Sequence, residues 1–81
     1  MGRINDEDII EIIANVLKLE ADRLTIDSSS ENVKEWDSLG HLGILLDLDK
    51  FFGGKIGGIK EMATANSVSK ILKLLKDNSL L

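Results

Sequence analysis

The sequence predicts an all-α fold, a small four-helix bundle with three main helices, one short helix and a long loop between helices I and II. Apolar residues recur at helical spacing in separate segments of the chain. The 81 residues include no proline, which favours helices over a turn-rich β fold. Aromatic residues make up only 4% of the chain, so the core must consist mainly of aliphatic side chains. We therefore expect a single domain over residues 1–81.

Helix I is predicted over about residues 6–19. Asn5 or Asp6 can cap its first free N–H groups, and the acidic residues that follow complement the positive end of the helix dipole. One face of this helix is apolar and should be buried, and its members are Ile9, Ile12, Ile13, Val16 and Leu17.

Residues 20–37 form a long polar connection between the first two helices. A loop of this length is unusual in a compact domain unless it is functional or packs on the helices. We expect Leu24 and Ile26 to attach it to the bundle and Trp36 to pack at its end.

Helix II is predicted to begin at Asp37 or Ser38, with Asp37 as its N-cap, and to end at Gly53-Gly54. Gly40 and Gly43 each cost about 1 kcal/mol relative to alanine in a helix interior. They indicate either close approach by another group or tolerance in a helix that packing stabilises. The residues expected to face inward are Leu39, Leu42, Leu45, Leu46 and Phe52, with Ile44 and Leu48 widening the apolar face.

The remaining chain predicts turns around Ile56 and Ile59, a short helix at residues 60–63, and a last helix capped by Asn66 or Ser67. The last helix should bury a stripe that consists of Val68, Ile71, Leu72 and Leu75.

The composition argues against several classes of function. The formal net charge is −4, whereas binding of nucleic acid or anionic lipid needs a basic patch. The absence of cysteine excludes disulfides and cysteine-based metal sites, and one histidine argues against structural zinc. No apolar run reaches the length of a membrane span, and the N-terminus lacks the apolar core of a signal peptide. We expect a cytoplasmic monomer that binds no nucleic acid and does not insert stably into membranes.

The most informative stretch is Glu35 to Leu42, where a polar loop becomes an apolar helix. A hydroxyl at Ser38 would lie at the positive end of helix II, a favourable place for a phosphate. From its position alone, Ser38 is equally well explained as a helix cap. His41 follows closely, but a catalytic triad also needs an orienting third group and an oxyanion hole, which the sequence does not supply. We expect an exposed His41, no enzymatic activity, and solvated or partner-facing carboxylates at Asp47 and Asp49.

The run Trp36-Asp37-Ser38-Leu39-Gly40-His41 resembles the attachment motif of acyl carrier proteins, whose core is Asp-Ser-Leu. That tripeptide alone is weak evidence, but the resemblance extends over nearly the whole chain. It includes the capped helix I, the long loop with apolar anchors, Phe52 near the end of helix II, the short third helix and Val68 opening the fourth. The tryptophan form followed by Gly-His is more similar to discrete bacterial carriers of specialised pathways than to the housekeeping fatty-acid carrier.

The resemblance implies that a phosphopantetheinyl transferase moves 4'-phosphopantetheine from coenzyme A onto Ser38. The thiol of this arm would carry acyl groups as thioesters in fatty-acid-like, polyketide or other specialised acyl biosynthesis. The implied partners are the transferase and acyl-loading, condensing or acyl-transfer enzymes. The resemblance also implies recognition roles for Asp37, Leu39, His41, Ile44 and Asp47.

One departure from the family pattern concerns charge. Gly40 and Gly43 stand where carboxylates are usual early in helix II. Recognition is then expected to depend more on exposed apolar residues such as Leu39 and Ile44, and loading by general fatty-acid synthase partners is expected to be weak. Two alternatives remain open, an unmodified helical interaction domain and a peptidyl or aminoacyl carrier. The sequence lacks the glycine-rich approach to the serine common in peptidyl carriers, which favours the acyl class.

Overall fold

The computed structural model describes residues 4–81, and residues 1–3 of the predicted domain lie outside the described part. The α-helices are α1 (Asp6–Leu17), α2 (Ser38–Phe51) and α3 (Val68–Asp77). Short 3₁₀ segments lie in the connections at Ala21–Arg23, Ile56–Gly58 and Lys60–Thr64. The all-α class is confirmed, but the short helix predicted at residues 60–63 is a 3₁₀ segment rather than an α-helix. None of the helices over residues 4–81 has the length and apolar content that a bilayer span requires.

Helix α1 begins at a capping box, whose N-cap is Asn5, one of the two residues that the sequence predicts. The Asn5 side chain accepts a hydrogen bond of 3.0 Å from the backbone N–H of Asp8, whose carboxylate accepts one of 3.0 Å from the backbone N–H of Asn5. The helix ends at Leu17, before the predicted end, because Lys18 adopts the left-handed conformation with a φ of 61°.

The core lies where the three helices meet. Helix α3 buries its whole predicted stripe, and the predicted cap at Ser67 is confirmed by a hydrogen bond of 3.2 Å from the backbone N–H of Lys70 to its hydroxyl. In α1 the prediction is confirmed for most of the stripe, while Ile12 and Val16 are only half-buried. The buried residues of these two helices are Ile9, Ile13, Ala14, Leu17, Val68, Ile71, Leu72 and Leu75.

Helix α2 turns only part of its predicted apolar face to the core, since Phe52 is buried and Leu45 half-buried as expected. Ile44 and Leu48 are fully buried, whereas Leu39, Leu42 and Leu46 are 79%, 53% and 56% exposed. The predicted inward positions of these three leucines are therefore wrong. Their side chains form a strip along the outer face of α2, which we call the outer leucine strip.

The glycines of α2 explain this orientation. A Cβ atom at Gly40 would lie 2.6 Å from the carbonyl oxygen of Glu35 and 2.9 Å from Cδ2 of Leu17, and one at Gly43 would lie 2.9 Å from Cγ1 of Val16. Helix α2 therefore packs on α1 through the face that carries Gly40 and Gly43. Ile44 and Leu48 lie on the same face, one and two turns after Gly40. Of the two explanations for the glycines, close approach is confirmed.

The long loop is attached to the bundle by a buried side chain and by its backbone. Leu24 is buried as predicted, but Ile26 is 52% exposed and does not anchor the loop. The turn around Ile26 is closed by a hydrogen bond of 2.9 Å from the backbone N–H of Thr25 to the buried hydroxyl of Ser28, which leaves Ile26 outside. The carbonyl oxygen of Ser28 in turn accepts a hydrogen bond of 3.0 Å from the backbone N–H of Val68.

The connection from α2 to α3 is organised around buried Ile56. Gly53-Gly54 follow α2 with φ values of 68° and 90°, as expected at a glycine-terminated helix end. Asp49 Oδ1 accepts hydrogen bonds of 3.0 Å and 2.9 Å from the backbone N–H groups of Ile56 and Gly57. Asp49 therefore stabilises this turn, and its expected role as a solvated or partner-facing charge is wrong.

Candidate functional site

The start of α2 presents the Ser38 side chain at the surface. Asp37 is the N-cap, because its Oδ1 atom accepts a hydrogen bond of 2.8 Å from the backbone N–H of Gly40. Ser38 is the first residue inside the helix and is exposed. The alternative in which Ser38 itself caps the helix is therefore wrong. Among residues 4–81, no hydrogen bond engages the Ser38 hydroxyl.

An open pocket of about 500 Å³ borders Ser38. Its near wall belongs to the end of the long loop and the first turn of α2, and its far wall to the long loop and the segment before α3. The residues that line it are Ser30, Trp36, Asp37, Ser38, His41, Ala63, Thr64 and Asn66. The far wall was not predicted, because no sequence pattern links positions 30, 64 and 66 to Ser38.

The prediction that His41 is exposed is wrong, since its ring is half-buried and hydrogen-bonded on both sides. Its Nδ1 atom lies 3.1 Å from the indole Nε1 of Trp36, and its Nε2 atom lies 2.9 Å from the carbonyl oxygen of Met62. The indole N–H can only donate and the carbonyl can only accept. Nδ1 therefore accepts, Nε2 carries the proton, and the ring is neutral.

Trp36 is buried, which confirms the predicted packing anchor at the end of the loop. Its ring is nearly coplanar with that of His41, with the centroids 6.2 Å apart and the planes inclined by 20°, so that the indole N–H points in its own plane at Nδ1. Trp36 thus has a second role that the sequence did not predict, because it supplies a hydrogen-bond donor to His41 and lines the pocket beside Ser38.

The geometry of His41 does not suit a base that activates Ser38. Such a base must present an unprotonated ring nitrogen to the hydroxyl and be oriented by a third group on its other nitrogen. Here Trp36 occupies Nδ1 and the Met62 carbonyl occupies Nε2. The nearby carboxylate of Asp37 is bonded to a backbone N–H instead.

The predicted recognition residues of α2 do not share one surface. Leu39 is highly exposed beside Ser38, and Asp47 is exposed farther along the helix. Ile44 is fully buried and cannot contact a partner, so its expected exposure is wrong. The exposed apolar residues of α2 besides Leu39 are the other members of the outer leucine strip, Leu42 and Leu46. The spacing of the glycines is the signal that could have identified them, because it marks the opposite face as the packed one.

Comparisons of the chain with models of protein families, with curated proteins and with solved structures found no match.

Proposed function

We propose that this protein is an acyl carrier protein that holds 4'-phosphopantetheine on the Ser38 hydroxyl and carries acyl groups as thioesters on the thiol of that arm. The carrier is non-catalytic, and enzymes that bind it perform the chemistry. One observation carries the proposal: Asp37 caps α2, so that the Ser38 hydroxyl remains exposed at the helix start. The hydroxyl is thus available for covalent modification.

The surroundings of Ser38 suit a phosphodiester-linked arm. The N-terminus of the 14-residue helix α2 carries partial positive charge, which stabilises a phosphate attached there. The adjoining pocket of about 500 Å³ leaves room for the arm beside the protein, and Ser30, Thr64 and Asn66 supply polar groups that complement its amides. When bound, the arm supplies the thiol that the cysteine-free chain lacks.

The four-helix description of the fold belongs to this proposal as well. The Lys60–Thr64 segment lies between α2 and α3, where the resemblance to acyl carrier proteins implies a short helix. We regard this 3₁₀ segment as the counterpart of that helix. Its contact with α2 through the carbonyl of Met62 supports this assignment.

The first partner of the carrier is a phosphopantetheinyl transferase, which contacts Asp37 and Leu39 on either side of the serine. The outer leucine strip then serves the acyl-loading, condensing or acyl-transfer enzymes, with Asp47 as the acidic contact. Because α2 has no acidic residue in its first turn, loading by general fatty-acid synthase partners should be weak. The carrier acts as a cytoplasmic monomer in a fatty-acid-like, polyketide or other specialised pathway.

A second candidate is an unmodified helical interaction domain. The exposure of the outer leucine strip favours it, because an apolar face on a helix can bind a partner without any prosthetic group. A peptidyl or aminoacyl carrier would share the Ser38 arm and differ only in cargo.

The test is the intact mass of the folded protein after incubation with coenzyme A and a broad-specificity phosphopantetheinyl transferase. Wild type should gain one phosphopantetheine, and Ser38→Ala should gain none. Ser30→Ala is the matched control, because Ser30 lines the same pocket and should leave the gain intact. No gain in folded wild type would favour the interaction domain, and a gain that persists in Ser38→Ala would move the site elsewhere.

A further inference from the structure

We propose that His41, as a neutral imidazole protonated on Nε2, is a positioning residue for Ser38. Through Trp36 and Met62 it fastens the end of the long loop and the Lys60–Thr64 segment to the first turns of α2. We call this arrangement the His41 bridge. Its link to Ser38 rests on the proposed function, whereas the bridge itself is a property of the folded chain.

The bridge joins parts of the chain that are distant in sequence. The bond to Trp36 spans five residues and the bond to the Met62 carbonyl spans 21. Ser38 lies one turn before His41 in the same helix, and the two residues line the same pocket. The imidazole therefore sets the distance between the wall that carries Ser38 and the segment on the other side of the pocket.

The partners of His41 are themselves held in place. The Met62 side chain is buried, and the Met62 carbonyl oxygen also accepts a hydrogen bond of 3.2 Å from the backbone N–H of Ala65. Trp36 is buried as well, so the loss of His41 would leave its indole N–H without the acceptor that it has in the fold. Because Trp36 and the Met62 carbonyl are both held in place, the His41 ring has one preferred position. The first turn of α2, which carries this ring, is positioned with it.

The first experiment reads the tautomer of the unmodified protein by ¹⁵N NMR of the imidazole. The chain contains one histidine, so the signals need no assignment by mutation. We expect a protonated Nε2 and an unprotonated Nδ1 at neutral pH, with Nδ1 coupled to the Trp36 indole N–H across the hydrogen bond. A protonated Nδ1, or the tautomer mixture of a free imidazole, would overturn the bridge.

The second experiment compares His41→Leu with His41→Gln in the transferase reaction. Leucine has similar bulk and no hydrogen-bonding group, whereas glutamine can donate to the Met62 carbonyl. If His41 positions Ser38, the kcat for modification should fall about tenfold in His41→Leu with KM nearly unchanged, and His41→Gln should recover most of it. The control Leu39→Ala, which removes surface contact only, should raise KM instead.

The outcomes separate this inference from the proposed function. Equal kcat values for wild type and a folded His41→Leu would overturn the positioning role. If His41→Leu does not fold, a kcat equal to that of wild type in a folded Trp36→Phe variant, which keeps only the bond to the Met62 carbonyl, would overturn it. If folded wild type is never modified, the proposed function is wrong, and so is the link between His41 and Ser38. The tautomer measured by NMR still decides whether the His41 bridge exists.

Discussion

Replacing Gly40 by alanine should destabilise this protein, although alanine is normally the better helix residue. At an open helix position the substitution would stabilise by about 1 kcal/mol. At Gly40 the added Cβ would lie 2.6 Å from the backbone oxygen of Glu35 and 2.9 Å from Cδ2 of Leu17. A backbone oxygen cannot rotate away as a side chain can, so the loop end or α2 itself must shift.

The magnitude follows from two opposing contributions. Overpacking of a well-packed site destabilises by about 1–3 kcal/mol, and the contact with a backbone atom at Gly40 favours the upper part of that range. After the helix-propensity gain of about 1 kcal/mol is subtracted, a net loss of about 1–2 kcal/mol remains. For a domain of this size, each 1 kcal/mol lowers the melting temperature by roughly 4–8 °C. Gly43→Ala should lose less, because its close contact is with the side chain of Val16 alone.

The assay is urea unfolding followed by the fluorescence of Trp36, the single tryptophan. Gly58→Ala is the matched control, since a Cβ there would have no neighbour within 4 Å. Its free energy of unfolding should stay within about 0.5 kcal/mol of wild type. A Gly40→Ala variant that is as stable as wild type, or more stable, would refute the close packing of α2 on α1.

Two further predictions concern stability along α2. Asp49→Ala should lower the free energy of unfolding by about 1–3 kcal/mol, because two backbone N–H groups lose their acceptor, whereas exposed Asp47→Ala should change it by less than about 0.5 kcal/mol. Similar losses in both variants on urea unfolding would contradict the distinction between them. Leu48→Ala should lose about 2–5 kcal/mol and Leu39→Ala almost nothing, since only the first is buried. Thermal unfolding checks this pair, and a large loss in Leu39→Ala would mean that the outer leucine strip packs against the protein.

Helices α1 and α3 were predictable from the sequence because the apolar residues of each lie on one clear stripe. The stripe of α3 is buried in full, and the N-cap of α1, predicted at Asn5 or Asp6, is Asn5. Both signals are local, so that tertiary packing did not need to be known. The N-cap at Asp37 belongs to the same class, and it places Ser38 at the start of α2.

The orientation of α2 was missed because this helix is apolar around most of its circumference. The deciding residues are Gly40 and Gly43, whose missing side chains admit α1. Because glycine has no side chain, a hydropathy pattern does not mark Gly40 and Gly43 as buried positions. The leucines on the opposite side of α2 were therefore predicted to face inward. For the same reason Ile44 was predicted to be exposed, although it is fully buried.

The environment of His41 could not be predicted from the sequence for a different reason. Its ring contacts a carbonyl 21 residues away, and the position of that carbonyl depends on how the Lys60–Thr64 segment folds back on α2. The far wall of the Ser38 pocket has the same origin. Contacts of this kind are set by the tertiary fold, and a single sequence carries no local signal for them.

The most direct test of the Ser38 arm is a tryptic peptide map of the protein after the transferase reaction. Cleavage after Lys34 and Lys50 releases the peptide of residues 35–50, in which Ser38 is the only residue with a hydroxyl side chain. Acyl-carrier function predicts that this peptide, and no other, gains the mass of one phosphopantetheine. A 35–50 peptide of unchanged mass, recovered from folded protein under conditions that fully modify a known carrier, would contradict it.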